Sequence, residues 1–132
     1  MSSVKLNKMI EKLQLVNLVP EVSTDEIEIS SPEINRPALQ LAGYFEHFAS
    51  ERVQIIGYVE YTYLKSLDRD VKLANYEQFL SSDIPCVIYS TRTEPDEDMI
   101  ELAKKYHKPL LSSHRITSDL MAEVIRWLGV EL

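Results

Sequence analysis

The side chains able to bind a metal or attack a substrate are few: His47, His107, His114, Cys86 and an acidic run of Glu94, Asp96, Glu97 and Asp98. Metal-binding histidines sit at short helical or loop spacings with Cys or carboxylate partners. Here His107 and His114 lie across a predicted strand from one another, and neither H-E-x-x-H nor C-x-x-C can be written. The pattern points to solvent-facing histidines, with His107 at a helix end, where a partial positive charge is favourable. Cys86 stands between Pro85 and Val87 in a predicted central strand. A cysteine there is a small core residue with a raised pKa rather than a nucleophile. The acidic run falls in the first turn of a predicted helix, where it complements the helix dipole without any metal.

A phosphate-binding loop is absent as well. The chain has three glycines, Gly43, Gly57 and Gly129. A loop that converges backbone N–H groups on a phosphate needs its glycines within about six residues of one another. Neither G-x-x-x-x-G-K-[ST] nor G-x-G-x-x-G occurs, so any nucleotide chemistry lies outside these 132 residues.

The segment from Ile34 to Phe45 is the best candidate for function, because it places Asn35 and Arg36 beside the start of a predicted helix. Two readings stay open. The turn could hold an anion, or contact another domain, through free N–H groups and the planar guanidinium fork. Alternatively Asn35 caps the helix and Arg36 pairs with a carboxylate inside the domain.

The elements that position these residues follow from periodicity. Leu6, Met9, Ile10 and Leu13 make one face of a helix, with Ser2 or Ser3 as cap. Val16–Val19 is a short strand ended by Pro20, and the alternation from Glu26 to Ser30 is a half-buried strand. After the proline-flanked turn a helix is expected over Ala38–Phe48, interrupted or tightened near Gly43. Val53–Gly57 is a buried strand. A tyrosine-rich helix follows over Tyr58–Leu67, with its aromatic group expected mainly in the core and otherwise at an interface. Asp68 or Asp70 caps a helix carrying Leu73, Tyr76 and Leu80. Ile84–Ser90 is the clearest buried strand. Thr93 to Asp96 then begins a helix with Ile100, Ala103 and Tyr106 or His107 inward. Pro109–Ser112 is a strand. A last helix from Thr117 or Ser118 buries Leu120, Met121, Val124, Ile125 and Leu128. The order strand–helix from residue 53 onward implies parallel strands with right-handed crossovers. The expected fold is a small single-domain α/β protein with a mostly parallel sheet flanked by helices.

Composition agrees. Hydrophobic residues make 45% and charged residues 27% of the chain, ordinary for one globular domain. The net charge of −7 is spread as −2 over residues 1–36, −3 over 37–91 and −2 over 92–132. No basic cluster exists to hold nucleic acid. No apolar run approaches the roughly 18 residues of a membrane span, and the start, Met-Ser-Ser-Val-Lys, does not read as a secretory leader. A single cysteine excludes an internal disulfide framework. The expectation is a cytoplasmic protein.

Specific runs carry a family resemblance. Residues 31–45 read Ser-Pro-Glu-Ile-Asn-Arg-Pro-Ala-Leu-Gln-Leu-Ala-Gly-Tyr-Phe, and residues 52–64 read Arg-Val-Gln-Ile-Ile-Gly-Tyr-Val-Glu-Tyr-Thr-Tyr-Leu. With Ile-Pro-Cys-Val-Ile at 84–88 and Glu-Leu-Ala-Lys-Lys-Tyr-His-Lys-Pro-Leu-Leu at 101–111, these resemble the amino-terminal domain of HPr kinase/phosphorylase over nearly the whole chain. Ala38 departs from the glycine usual after the proline, which restricts the backbone but favours a helix.

The resemblance implies a bifunctional enzyme of bacterial carbon catabolite repression. Such an enzyme uses ATP to phosphorylate a serine of HPr, the phosphocarrier of the sugar phosphotransferase system. It removes that phosphate by phosphorolysis, releasing pyrophosphate. The resemblance also implies a hexameric homo-oligomer. ATP, Mg²⁺ and the acid/base residues belong to a carboxyl-terminal kinase domain absent from this chain, so residues 1–132 carry no catalytic, cofactor or metal residue. Their expected role is assembly or regulation, through contact with that kinase domain. By the same resemblance the fold is similar to the first domain of cell-wall ligases, which says little about ligands. The alternative is a free-standing module for a small anion or nucleotide-like ligand at Asn35 and Arg36.

Overall fold

The computed structural model describes residues 2–132. Its centre is a five-stranded sheet. The strands in chain order are β2 (Val16–Asn17), β4 (Ile34–Asn35), β5 (Val53–Ile56), β6 (Val87–Tyr89) and β7 (Leu110–Ser112), in spatial order β2-β7-β6-β5-β4. The strands β4 to β7 run parallel, and β2 closes the β7 edge antiparallel, with Val16 opposite Ser112. A separate two-stranded ribbon pairs β1 (Val4–Lys5) with β3 (Glu28–Ile29) antiparallel. The helices are α1 (Leu6–Leu13), α2 (Ala38–Leu41), α3 (Tyr58–Lys65), α4 (Arg69–Leu80), α5 (Glu97–Tyr106) and α6 (Thr117–Glu131). This is the expected α/β domain with a mostly parallel sheet.

Every residue of β5 and β6 is buried, as central parallel strands covered on both faces must be. Strand alternation then sorts their side chains into two cores. Val53, Ile55, Cys86, Ile88 and Leu111 join α1 and α6 through Leu6, Met9, Leu120 and Val124. Ile56, Val87, Tyr89 and Leu110 join the opposite helices through Leu41, Tyr76, Phe79 and Met99. The connection after β6 therefore leads to one face and the connection after β7 to the other. Among the described residues no helix is long and apolar enough to cross a membrane.

Several local expectations are corrected. Ser3 does not cap α1; its hydroxyl donates to Glu28 Oε1 at 2.6 Å, because Val4 and Lys5 are drawn into the ribbon with β3. The expected strand through residues 26–30 shortens to Glu28–Ile29 for the same reason. The helix expected to reach Phe48 stops at Leu41. Gly43 takes φ +99° there, the Tyr44 N–H donates to the Leu39 carbonyl, and the Gly43 N–H donates to that of Gln40. Those paired bonds around a left-handed glycine form a Schellman stop. Asp68 sits at the start of α4 without a side-chain capping bond. Helix α5 begins at Glu97, capped by Asp96, whose carboxylate accepts the Met99 N–H at 2.8 Å, so Pro95 lies just outside it.

In α6 the buried stripe is Leu120, Val124, Trp127 and Leu128, while Ile125 is 45% exposed. The spacing 120, 124, 127, 128 is a single helical face, and Ile125 lies off it. The tyrosine-rich α3 is the largest departure. Tyr58 and Val59 are 58% and 68% exposed, and the residues turned inward are Glu60 and Leu64. The aromatic group is a surface feature.

Cys86 is fully buried, and burial pushes its thiol pKa up to about 12. A thiol reagent at neutral pH should label it only as the protein unfolds. Cys86→Ser should cost about 1–3 kcal/mol in denaturant melts, since it buries a hydroxyl without an assured partner. Rapid native-state labelling would contradict this packing.

Candidate functional site

The turn singled out in the sequence lies at the carboxyl ends of the parallel strands. Asn35 is the last residue of β4, and its Cβ direction sends the side chain toward α2. Its amide donates to Gln54 Oε1 at 2.7 Å and to Gln40 Oε1 at 3.2 Å. It does not cap α2, whose cap position is Pro37 without any side-chain bond. Instead it satisfies Gln54, a fully buried polar residue of β5 whose own amide donates to the Arg52 carbonyl.

Arg36 points the other way and meets α3. Its Nε donates to Glu60 Oε1 at 3.0 Å, and its Nη2 donates to Oε1 and Oε2, each at 2.8 Å. Glu60 is 3% exposed. Its Oε1 also accepts the Gly57 N–H at 2.6 Å, the reach-back of a residue at the third helical position to the cap. One carboxylate thus takes a guanidinium fork and a helix-start N–H. The geometry realises the second reading of the turn, the internal ion pair. Arg36 is engaged on Glu60, with Nη1 at 3.5 Å from Met121 Sδ.

Gly57 is constrained by space. A Cβ there would stand 2.7 Å from Thr117 Cγ2 and Oγ1 and 2.8 Å from Arg36 Nη2. Thr117, the first residue of α6, also shares a hydrogen bond of 2.8 Å with Ser90 Oγ. The Ser90 N–H donates to the Ile56 carbonyl, and Thr93 Oγ1 donates to the Ser90 carbonyl. A polar layer therefore ties the ends of β4, β5 and β6 to the starts of α3 and α6.

Outside this layer is an open cleft of about 460 Å³ lined by Tyr58, Thr91, Arg92, Ile116 and Thr117. Arg92 holds φ +65°, left-handed backbone uncommon for a non-glycine residue. The cleft sits where the connections after β6 and β7 diverge to opposite faces, the usual ligand position in open α/β sheets. Sequence reasoning placed neither Arg92 nor Glu60 here. The signal for Glu60 was its place three residues after Gly57, hidden among the tyrosines.

The other chemistry-bearing residues stay apart. His47, His107 and His114 are exposed at separate places on the surface. Among the described residues no three His, Cys, Asp or Glu side chains are grouped to hold a metal ion. The acidic run works locally: Asp96 caps α5, and Asp98 is held below the usual carboxylate range chiefly by its hydrogen bonds from Arg69. The Ser90 and Thr117 hydroxyls bond each other, with no base against them. The layer is built to hold elements in place.

A family model described as the HPr serine kinase N terminus matches residues 4–128. The chain belongs to this HPr serine kinase N-terminal family. Curated relatives named HPr kinase/phosphorylase agree. The protein of Lachnoclostridium phytofermentans is 43% identical over all of this chain, and that of Alkaliphilus metalliredigens 38% identical over 97% of it. The chain spans 43% and 41% of those two proteins. Among solved structures, the CBS and DRTGG domains from the regulatory region of Clostridium perfringens pyrophosphatase, complexed with the activator diadenosine tetraphosphate, share the fold. The TM-score is 0.57 at 16% identity, covering 92% of this chain and 45% of that one.

The Arg36–Glu60 pair should dominate the stability of this layer. Arg36→Ala leaves a buried carboxylate without its cation and should cost about 3 kcal/mol, the lower end of the buried-pair range because the guanidinium is partly exposed. Gly57→Ala should cost about 1–3 kcal/mol by overpacking against Thr117. Chemical denaturation of both variants checks these values. An Arg36→Ala protein that melts like the parent would show that the pair is dispensable.

Proposed function

We propose that the chain is a non-catalytic assembly or regulatory domain of an HPr kinase/phosphorylase. The parent would use ATP and Mg²⁺, held by a carboxyl-terminal kinase domain, to phosphorylate and dephosphorylate a serine of HPr in the cytoplasm. A homo-oligomer is part of this reading. The observation that carries it is family membership across nearly the whole chain, together with relatives more than twice its length. The lack of any glycine-rich phosphate loop supports it, because phosphoryl transfer relies on positioning the phosphates and metal. The polar layer also supports it: its hydroxyls and carboxylates are engaged with one another. The alternative of a free-standing anion module at Asn35 and Arg36 draws no support from the geometry, since Gln54 and Glu60 occupy both side chains.

Incubated with ATP, Mg²⁺ and HPr, the chain alone should yield no phosphoserine above background. Joined to the carboxyl-terminal part of the Lachnoclostridium phytofermentans relative, it should give HPr phosphorylation, and deleting it should change assembly or regulation more than the transfer step. Turnover by the isolated chain that survives stringent purification would overturn the assignment.

A further inference from the structure

Helix α6 carries a face that the domain leaves uncovered. Its buried stripe, Leu120, Val124, Trp127 and Leu128, turns toward the core. Ser118, Ala122, Ile125 and Gly129 follow one another at helical spacing on a different side, and all four are exposed. That seam holds no charged residue. Met121, half-buried beside it, leads into a shallow trough walled by Tyr58, Val59 and Ile116. Ile116 is 55% exposed, much like the two residues of α3 opposite it. No Asp or Glu lines the trough, and Arg36, the one cation in its wall, is held on Glu60. A contiguous apolar face rimmed by polar residues marks an interaction surface.

The charges flanking the seam decide the partner. Asp119 and Arg126 are one heptad apart, so they stand on the same flank of α6, and both are exposed. Arg126 also pairs with Glu123 of its own helix, a surface contact worth little by itself. When two α6 helices meet seam to seam and antiparallel, about a twofold axis near residues 122–123, Asp119 of each copy faces Arg126 of the other. One sequence thus supplies the same ion pair twice. A parallel arrangement sets Asp119 on Asp119 and Arg126 on Arg126. A twofold contact is isologous, so the face must match itself. This one does, although whole chains of −7 repel one another on average. The seam has no carboxylate to oppose its own image, and the exposed Asp119 meets a cation.

We propose that the α6 seam and the adjoining trough are where a second copy of this chain docks, antiparallel and across a twofold axis. Met121 and Ile125 of one copy cover those of the other, while Tyr58, Val59 and Ile116 border the contact. Arg126, with its fork of donors, serves both Glu123 of its own helix and Asp119 of the second copy. The proposal gives a surface to the homo-oligomer of the reading above, but it rests on this chain's own face. Association of the chain is measured without any kinase activity, so failure of that reading and failure of this proposal are distinguishable.

The test is sedimentation equilibrium of the chain at low ionic strength. A monomer–dimer equilibrium is expected, with a dissociation constant on the order of 10–100 µM, as suits a contact at the small end of the interface range. Ile125→Lys, at an exposed position, should leave the melting temperature unchanged and weaken the dimer about tenfold or more. Asp119→Arg and Arg126→Asp should each weaken it, because like charges then meet, and the double variant should restore it. Added salt should loosen the parental dimer. Should Asp119→Arg fail to fold, Ile125→Lys and Arg126→Asp still decide. A chain that stays monomeric at about 1 mM, well above the expected constant, would overturn the proposal. So would a dimer indifferent to Ile125→Lys, or a folded double variant no tighter than its single parents. Protection of this face from hydrogen exchange by the carboxyl-terminal part of the Lachnoclostridium phytofermentans relative, with the chain itself monomeric, would overturn it in favour of an interdomain contact.

Discussion

Glu60 is a carboxylate on the inward face of a helix, and a buried charge of that kind persists only when it is paired and hydrogen-bonded. Arg36 and the Gly57 N–H supply both needs. The pair joins the end of β4 to the start of α3, and the space it occupies demands glycine at 57 against Thr117 of α6. Three elements distant in sequence are thereby held at one point. The rotation of α3 follows from it: with Glu60 and Leu64 inward, Tyr58 and Val59 must face solvent. A tyrosine-rich helix therefore presents its aromatic side to solvent because of one ion pair.

The apolar part of the fold obeys a simpler constraint. Strands β5 and β6 are buried on both faces, so alternate residues feed alternate cores and neither core can form without the sheet. Polar residues on these strands must be satisfied within the protein. Gln54 is the clearest case, completed by Asn35 from the neighbouring strand. The highest concentration of such arrangements is at the carboxyl ends of the strands, where hydroxyls, amides and the ion pair interlock. A layer so fully committed holds the strand ends and helix starts of this domain in a fixed arrangement.

Against that commitment, two buried polar atoms among the described residues stand without a hydrogen-bond partner, Arg52 Nε and the Tyr89 hydroxyl. Tyr89 shares the Asp96 neighbourhood with Tyr76 and Lys72, yet of these three only Tyr89 lacks a partner. It also sits where α3, α4 and the loop after β6 leave space between them.

Much of this was legible in one dimension. Hydrophobic runs at 53–56 and 84–90, amphipathic spacing in α1 and α5, and the strand–helix order specified a parallel α/β domain, because burial on two faces and on one stripe leave different periodicities. The burial of Cys86 followed from its place between Pro85 and Val87. The runs at 31–45 and 52–64 were enough to indicate the family. Long-range partners were not legible. Nothing local to Ile34 and Asn35 marks a strand, since two residues become β4 only by pairing with Val53 and Gln54. The Glu60 carboxylate looked like an ordinary helix-start acid, and Arg36 had two open fates. Only the tertiary structure chose between them, because a salt bridge between residues 24 apart depends on which faces the sheet brings together, and spacing along the chain does not encode that.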